Sequence, residues 1–316
     1  MGFFIPVISL IVFLVSLHSI LNHKNLPIFM KKFLTSTTFL AILACLLWST
    51  PFTGIKIGLK YTTPIHFAGI RFFISGLILL PFISPFKEKV ALAIKHWKVI
   101  ILIGFLQTTL LYALFYLGLS MVPGALGAML IGSSPLFVAI MAHWLLRNDK
   151  MTSKKIFSIL LGMTGVAIIS LGRKDFQLSS TIPLGVGILI LNNITAGLGN
   201  VMVAREGKVL PPLVLSSFSM ILGGGALLLL SIPMEHPTWE IYPMEYYWAL
   251  GWLSFVSAAA VTIWYKLLRR DDVKVSNLNT WKFIIPVFGA WLSWTILPGE
   301  NPDLLSLSGM LVIASG

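Results

Sequence analysis

Ten apolar stretches, separated by short polar breaks, restrict this chain to one kind of solvent. They fall at about 35–58, 65–84, 97–118, 123–146, 154–172, 182–204, 211–232, 246–268, 274–297 and 303 to the end. A helix rising about 1.5 Å per residue needs about 20 residues to cross about 30 Å of hydrocarbon. Within lipid a crossing segment must satisfy its own backbone donors and acceptors, so stretches of this length read as α-helices. Composition agrees: only 11% of residues are charged and 57% are apolar, whereas a soluble domain carries about 25% charge. The expected fold class is an all-α polytopic membrane protein.

The charges fall where such a protein tolerates them. The 11 acidic residues all lie in the breaks or, for Asp303, at the very edge of a stretch, where the cost of burying a carboxylate in hydrocarbon is avoided. The basic residues alternate. One set of breaks holds Lys31, Lys32, Lys87, Lys89, Lys95, Lys98, Arg147, Lys150, Lys154, Lys155, Arg205, Lys208, Lys266, Arg269, Arg270 and Lys274; the opposite set holds Lys60, Arg173 and Lys174. By the positive-inside rule the first set faces the cytoplasm, which places both ends of the ten-helix unit there, in a bacterial inner membrane. The long run from Thr109 to Ala142 divides at Pro123-Gly124 into two antiparallel helices, and the alternation holds on both sides of that split. A net charge of +12 spread over alternate loops does not describe a nucleic-acid surface.

Both ends of the chain are irregular. Gly2 to Leu21 is apolar enough to insert, but no basic residue precedes it and Lys24 follows, the reverse of a secretory signal. It reads as an extension ahead of a start at Met30-Lys31-Lys32, with an additional spanning helix as the alternative. Leu304 to Gly316 is short for a crossing, so the last helix is expected to be truncated.

The chain also matches itself. At a shift of 151, Ser134-Pro135-Leu136-Phe137-Val138-Ala139 meets Ile285-Pro286-Val287-Phe288-Gly289-Ala290, and Gly165 meets Gly316; at a shift of 147, Pro64 meets Pro211 and Gly76 meets Gly223. The halves are expected at 31–173 and 174–316, after an extension at 1–30. Five helices per half is odd, so the second half enters the membrane inverted, an arrangement that lets a central site open alternately to either side.

Leu46-Leu47-Trp48-Ser49-Thr50-Pro51-Phe52, Pro64-Ile65-His66-Phe67-Ala68-Gly69-Ile70-Arg71-Phe72, and Gly127 to Pro135 with its partner ending at Pro286 resemble the drug/metabolite transporter superfamily, in particular its EamA-type ten-helix permeases. The resemblance covers about 33–316. It implies a secondary transporter with a central cavity bounded mainly by helices 1, 3, 4, 6, 8 and 9, moving a small organic metabolite, with an amino acid among the candidates and export the expected direction although some members import. It says little about which solute.

Polar groups inside spans are the first candidates for solute contact. Lys282 stands beside Trp281, shortly before Pro286, where an ammonium can meet a carboxylate or phosphate; snorkelling to the headgroups and an internal pairing are the alternatives. Asn192, Asn193 and Asn200 put amides on helix 6, suited either to polar solutes or to interhelical hydrogen bonds. Trp48, Gln107, Tyr112, Tyr116 and Trp264 offer an amphipathic lining. Arg71 is expected to gate or pack, since the resemblance does not make helix 2 a main cavity wall, with solute contact as the alternative. Pro51, Pro135 and Pro286 permit kinks, and Gly127 permits close packing. His66 is expected near a helix end. No catalytic set, phosphate loop or Cys/His cluster is present, so neither an enzyme, a metal, a cofactor nor an ATPase subunit is implied. The expected partners are a small organic solute and lipid, around a monomer or weak dimer. A non-transporting scaffold or a membrane-embedded enzyme is the alternative.

Overall fold

The computed structural model describes residues 32–122, 124–171, 180–238, 240–296 and 304–314. The expectations about Gly2 to Leu21 and about Pro123 itself lie outside these residues. In chain order the helices are α1 (Thr37–Ser49), α2 (Pro51–Gly58), α3 (Pro64–Leu79), α4 (Phe86–Lys95), α5 (Trp97–Gly104), a π-helical turn (Phe105–Leu110), α6 (Leu111–Leu119), α7 (Gly124–Gly132), α8 (Ser134–Leu145), α9 (Ser153–Leu171), α10 (Ile182–Arg205), α11 (Pro212–Glu235), α12 (Met244–Leu268), α13 (Val275–Thr280), a 3₁₀ turn (Trp281–Phe283), α14 (Ile284–Ile296) and α15 (Leu304–Ala314). The chain is an all-α polytopic membrane protein. Six helical segments are long and apolar enough to cross a membrane: Pro64–Phe82, Trp97–Leu119, Leu126–Leu145, Ile182–Arg205, Pro212–Glu235 and Met244–Leu268.

The other expected stretches are built from shorter helices and from the 19-residue α9. Prolines explain the interruptions. The first stretch breaks between α1 and α2 at Thr50-Pro51, the fourth between α7 and α8 just before Pro135, and the ninth tightens into a 3₁₀ turn ahead of Pro286. A proline lacks the N–H that would bond four residues back, so each break frees one carbonyl. Two differences were not anticipated. Helix α11 runs on to Glu235 with Pro233 inside it, and the third stretch carries a π turn.

Packing combines an apolar interior with polar and small groups that a water-soluble core seldom buries. Small and hydroxyl-bearing side chains such as Ser217, Ser219, Ser231 and Ser254 are fully buried, while Leu229, Leu230 and Ile232 project outward. Lipid solvates the large apolar groups, so close backbone approach has to hold the helices together. At the crossing of α3 and α11, a Cβ on Gly69 would lie 2.8 Å from the Leu228 nitrogen, and one on Gly76 2.6 Å from the Ser217 carbonyl oxygen. Ser217 Oγ donates to the Gly76 carbonyl at 2.8 Å. At the crossing of α9 and α15, Gly165 and Gly309 face each other, each with the other's carbonyl within 2.7 Å of where its Cβ would stand.

Candidate functional site

Four of the sequence candidates meet where two broken stretches come together. Pro51 deprives the Leu47 carbonyl of its helical donor, and the Thr50 hydroxyl takes over at 2.9 Å. Ser49 Oγ donates to the Cys45 carbonyl at 2.8 Å and lies 3.3 Å from the Ile285 carbonyl oxygen, joining the α1 break to the break before Pro286. Such substitutions by hydroxyls let non-helical backbone persist at membrane depth.

Trp48 and Lys282 flank this junction. The Trp48 ring packs edge-on to Trp264 of α12, with centroids 5.1 Å apart. The Lys282 Nζ stands 5.0 Å from the Trp264 centroid and 5.7 Å from that of Trp48. Its ammonium therefore lies over indoles instead of reaching toward headgroups, and no carboxylate among the described residues forms an ion pair with it. Asn200 fixes the arrangement from α10: its Oδ1 accepts from Trp264 Nε1 at 2.8 Å while its Nδ2 donates to the Ala196 carbonyl at 2.7 Å. Trp281 packs nearby, partly buried. Chemically, the cluster offers a cation that can meet a carboxylate or phosphate oxygen and two ring faces for an organic body.

The other candidates are placed elsewhere. Asn193 is fully buried on α10, and its Nδ2 donates to the Leu130 carbonyl at 2.6 Å and to Ser133 Oγ at 3.1 Å, bracing the α7–α8 break ahead of Pro135. Asn192 is buried with its Oδ1 unpartnered. Gln107, in the π turn, reaches the Ala196 carbonyl at 3.4 Å, and a Cβ on Gly199 would collide with it. Gly127 packs against Leu119 at the end of α6. Tyr112 and Tyr116 face α3, where Tyr112 and Phe72 have ring centroids 4.3 Å apart and Arg71 lies over both rings.

Two features escaped the sequence reading. Asp149, placed in a break where a carboxylate should stay hydrated, is 1% exposed. It accepts from the Lys155 ammonium at 2.5 Å, from the Ser276 backbone N–H at 2.8 Å and from the Ser276 hydroxyl. Burial alone would push its carboxyl up, but the bonds from Lys155 and Ser276 outweigh burial and hold it below the usual aspartate value. Glu235 accepts from the backbone N–H groups of Ile65 and His66 at 2.9 Å each, capping α3 from a neighbouring helix. His66, expected near a helix end, is buried there with its Nδ1 3.0 Å from Ser231 Oγ. Because neighbouring elements supply the partners, spacing along the chain could not reveal them.

A groove of about 520 Å³ is lined by His66 and Phe73 of α3 and by Ile221, Gly225 and Leu228 of α11. Its walls come from one helix pair and are mostly apolar, and it is separate from the Lys282 cluster.

This combination of membrane helices, backbone breaks at depth and an interior cation defines a class of protein: a multi-pass membrane transporter for small molecules. Sequence comparison narrows the class. Residues 35–171 and 183–316 each match the EamA-like transporter family, and the chain belongs to that family; its members are transporters, not enzymes. The chain is 25% identical over 282 residues to the uncharacterized transporter YvbV of Bacillus subtilis, covering 89% of this chain and 90% of the relative. It is 25% identical over 284 residues to an uncharacterized transporter of Archaeoglobus fulgidus, and 24% identical over 273 residues to the chloroplastic WAT1-related protein At3g02690 of Arabidopsis thaliana, covering 84% of this chain and 64% of that one. A solved crystal structure 18% identical to it has the same fold, with a TM-score of 0.74 over 89% of this chain and 94% of the other.

Proposed function

We propose that the chain exports a small carboxylate-bearing metabolite, an amino acid among them, across a bacterial inner membrane by alternating access between two inverted five-helix halves. The observation that carries the solute class is the Lys282 ammonium, held over Trp48 and Trp264 at a helix break. The Asn193 and Asn200 amide nitrogens are committed to interhelical or intrahelical bonds, so within this cluster the Lys282 cation is the group left to meet a solute.

Two observations support the inverted halves, at 31–173 and 174–316, and their ten crossings. The family matches the chain twice, once in each half. The packing also survives exchange of the halves: α8 packs on α10 as α14 packs on α1, α6 packs on α10 as α12 packs on α1, and the α3–α11 and α9–α15 pairs map onto themselves. The loops rich in lysine and arginine support a cytoplasmic position for both ends of the ten-helix unit. The working unit is a monomer or weak dimer, and no ATPase subunit is required.

The test is uptake of a panel of amino acids and organic acids into proteoliposomes under imposed substrate, pH and ion gradients. Saturable movement of a carboxylated solute, lost in a folded Lys282→Ala variant, supports this reading. A panel in which nothing moves favours a non-transporting scaffold, and movement unchanged by Lys282→Ala removes this lysine from the path.

A further inference from the structure

Among the described residues Arg71 is the most deeply buried cation, 4% exposed. It stands seven residues after Pro64, about 10 Å into its helix. Its guanidinium carbon lies 4.3 Å from the Phe72 ring centroid and 5.3 Å from that of Tyr112. A side-chain hydrogen bond joins it to Tyr112, but its Nε has no hydrogen-bond partner and no described carboxylate pairs with it. Glu235, the acid at this end of α3, is engaged by the Ile65 and His66 backbone. One turn beyond Tyr112, the buried Tyr116 hydroxyl also lacks a partner, within electrostatic reach of Arg71.

A guanidinium brings five N–H donors. Removing it from water costs far more than two ring faces and the Tyr112 hydrogen bond return, and the deficit is met by an anion or another acceptor. The π turn at Phe105–Leu110 widens one turn of the third stretch and so changes the phase of α6 relative to α5. This brings Tyr112 and Tyr116 round to α3, a helix not expected to border the cavity. Phe72 and Tyr112 give the place apolar walls, which favour an organic anion over chloride.

We propose that Arg71, with Tyr112 and Tyr116, forms an anion-binding subsite distinct from Lys282 that takes the carboxylate of an organic solute. The two cations enter from opposite ends of the bundle. Lys282 is seven residues from Val275, whose end is tied to the basic loops through Asp149 and Ser276; Arg71 is seven residues from the end that Glu235 caps. A carboxylate crossing the protein then meets one cation from each side. That passage rests on the carrier reading, whereas binding at Arg71 does not.

Benzoate is the probe, titrated at constant ionic strength into purified full-length protein while thermal unfolding is followed, with chloride as the control. The wild type and Lys282→Ala are expected to gain several degrees in Tm with benzoate beyond chloride, Arg71→Gln to gain clearly less than the wild type, and Arg71→Gln combined with Lys282→Ala to gain none. An undiminished benzoate shift in Arg71→Gln, an equal shift with chloride, or loss of the shift in Lys282→Ala overturns a separate subsite. Because transport is not measured, such a result leaves the proposed carrier function standing. If Arg71→Gln does not fold, Arg71→Lys and Tyr116→Phe decide: each should weaken apparent benzoate affinity about 3-fold or more, and wild-type affinity in both overturns the proposal.

Discussion

Asn200 shows how much of a membrane site is positioning. Its amide spends one end on the Ala196 carbonyl and the other on Trp264 Nε1, so the indole beneath the Lys282 ammonium is fixed in rotation as well as position. Asn200→Ala leaves a buried indole N–H without an acceptor, which costs about 1–3 kcal/mol. A lowered Tm is therefore expected, together with weaker apparent solute affinity in proteoliposomes; Asn200→Asp, which keeps an acceptor oxygen, should recover part of the Tm loss. If Asn200→Ala changes neither, Trp264 is held by packing alone. Reading Trp48, Trp264 and Lys282 as candidates required only their residue types inside apolar stretches. Their meeting was not legible, because they lie on three separate elements and nothing local encodes which faces converge. Asn200 was likewise visible as a polar residue in a span, but whether its amide serves a solute or a neighbouring indole depends on α12.

Along the elements, proline and glycine positions proved the most legible features and side-chain direction the least. Pro51, Pro135 and Pro286 mark breaks that follow from a missing N–H, and all three stretches are interrupted where those residues stand. The π turn has no such punctuation: Phe105-Leu106-Gln107-Thr108-Thr109-Leu110 reads as ordinary helix, and its phase change is why Tyr112 and Tyr116 were expected beside Trp48 but face Arg71 instead. Glycines can be weighed by what surrounds them. A Cβ on Gly224 would lie 2.4 Å from the Phe73 backbone nitrogen and 3.0 Å from the Gly69 carbonyl oxygen. Backbone atoms cannot step aside, so Gly224→Ala should push α3 and α11 apart at a cost of about 1–3 kcal/mol. On α12, a Cβ on Gly251 meets nothing within 4 Å, and Gly251→Ala should be neutral or stabilising by up to about 1 kcal/mol through helix propensity. Thermal unfolding in detergent separates the two, and equal effects would mean that the α3–α11 crossing is not held by close contact.

For the whole molecule, the proposed alternating access requires the two family-matching segments to touch at one end while the other is open, and Asp149 supplies a contact of that kind. It lies in the first half, before α9, and binds the start of α13 in the second through Ser276. At the same end Arg270 donates to the Thr35 carbonyl and the Thr37 hydroxyl, at 2.7 Å each. The exposed pair of Lys208 and Asp271 adds little to this closure, since solvent screens it. The Asp149 carboxyl is held below its usual value of 3.8, so its contribution is fully present above that value and fades as pH falls through the lower, folded-state value. Between pH 5 and pH 8 the contact should therefore be constant, and any pH dependence of transport in that range must arise elsewhere; Asp149→Asn should leave the shape of the pH profile unchanged there. The contact also has to break in every cycle if access alternates. Asp149→Cys and Ser276→Cys combined, and bridged by a short bis-maleimide, should stop transport, while either single variant treated alike keeps its own untreated rate, which controls for the buried Cys45. Transport that continues through the bridge would mean that this end never opens, and the solute path would have to run through one fixed conformation of the bundle.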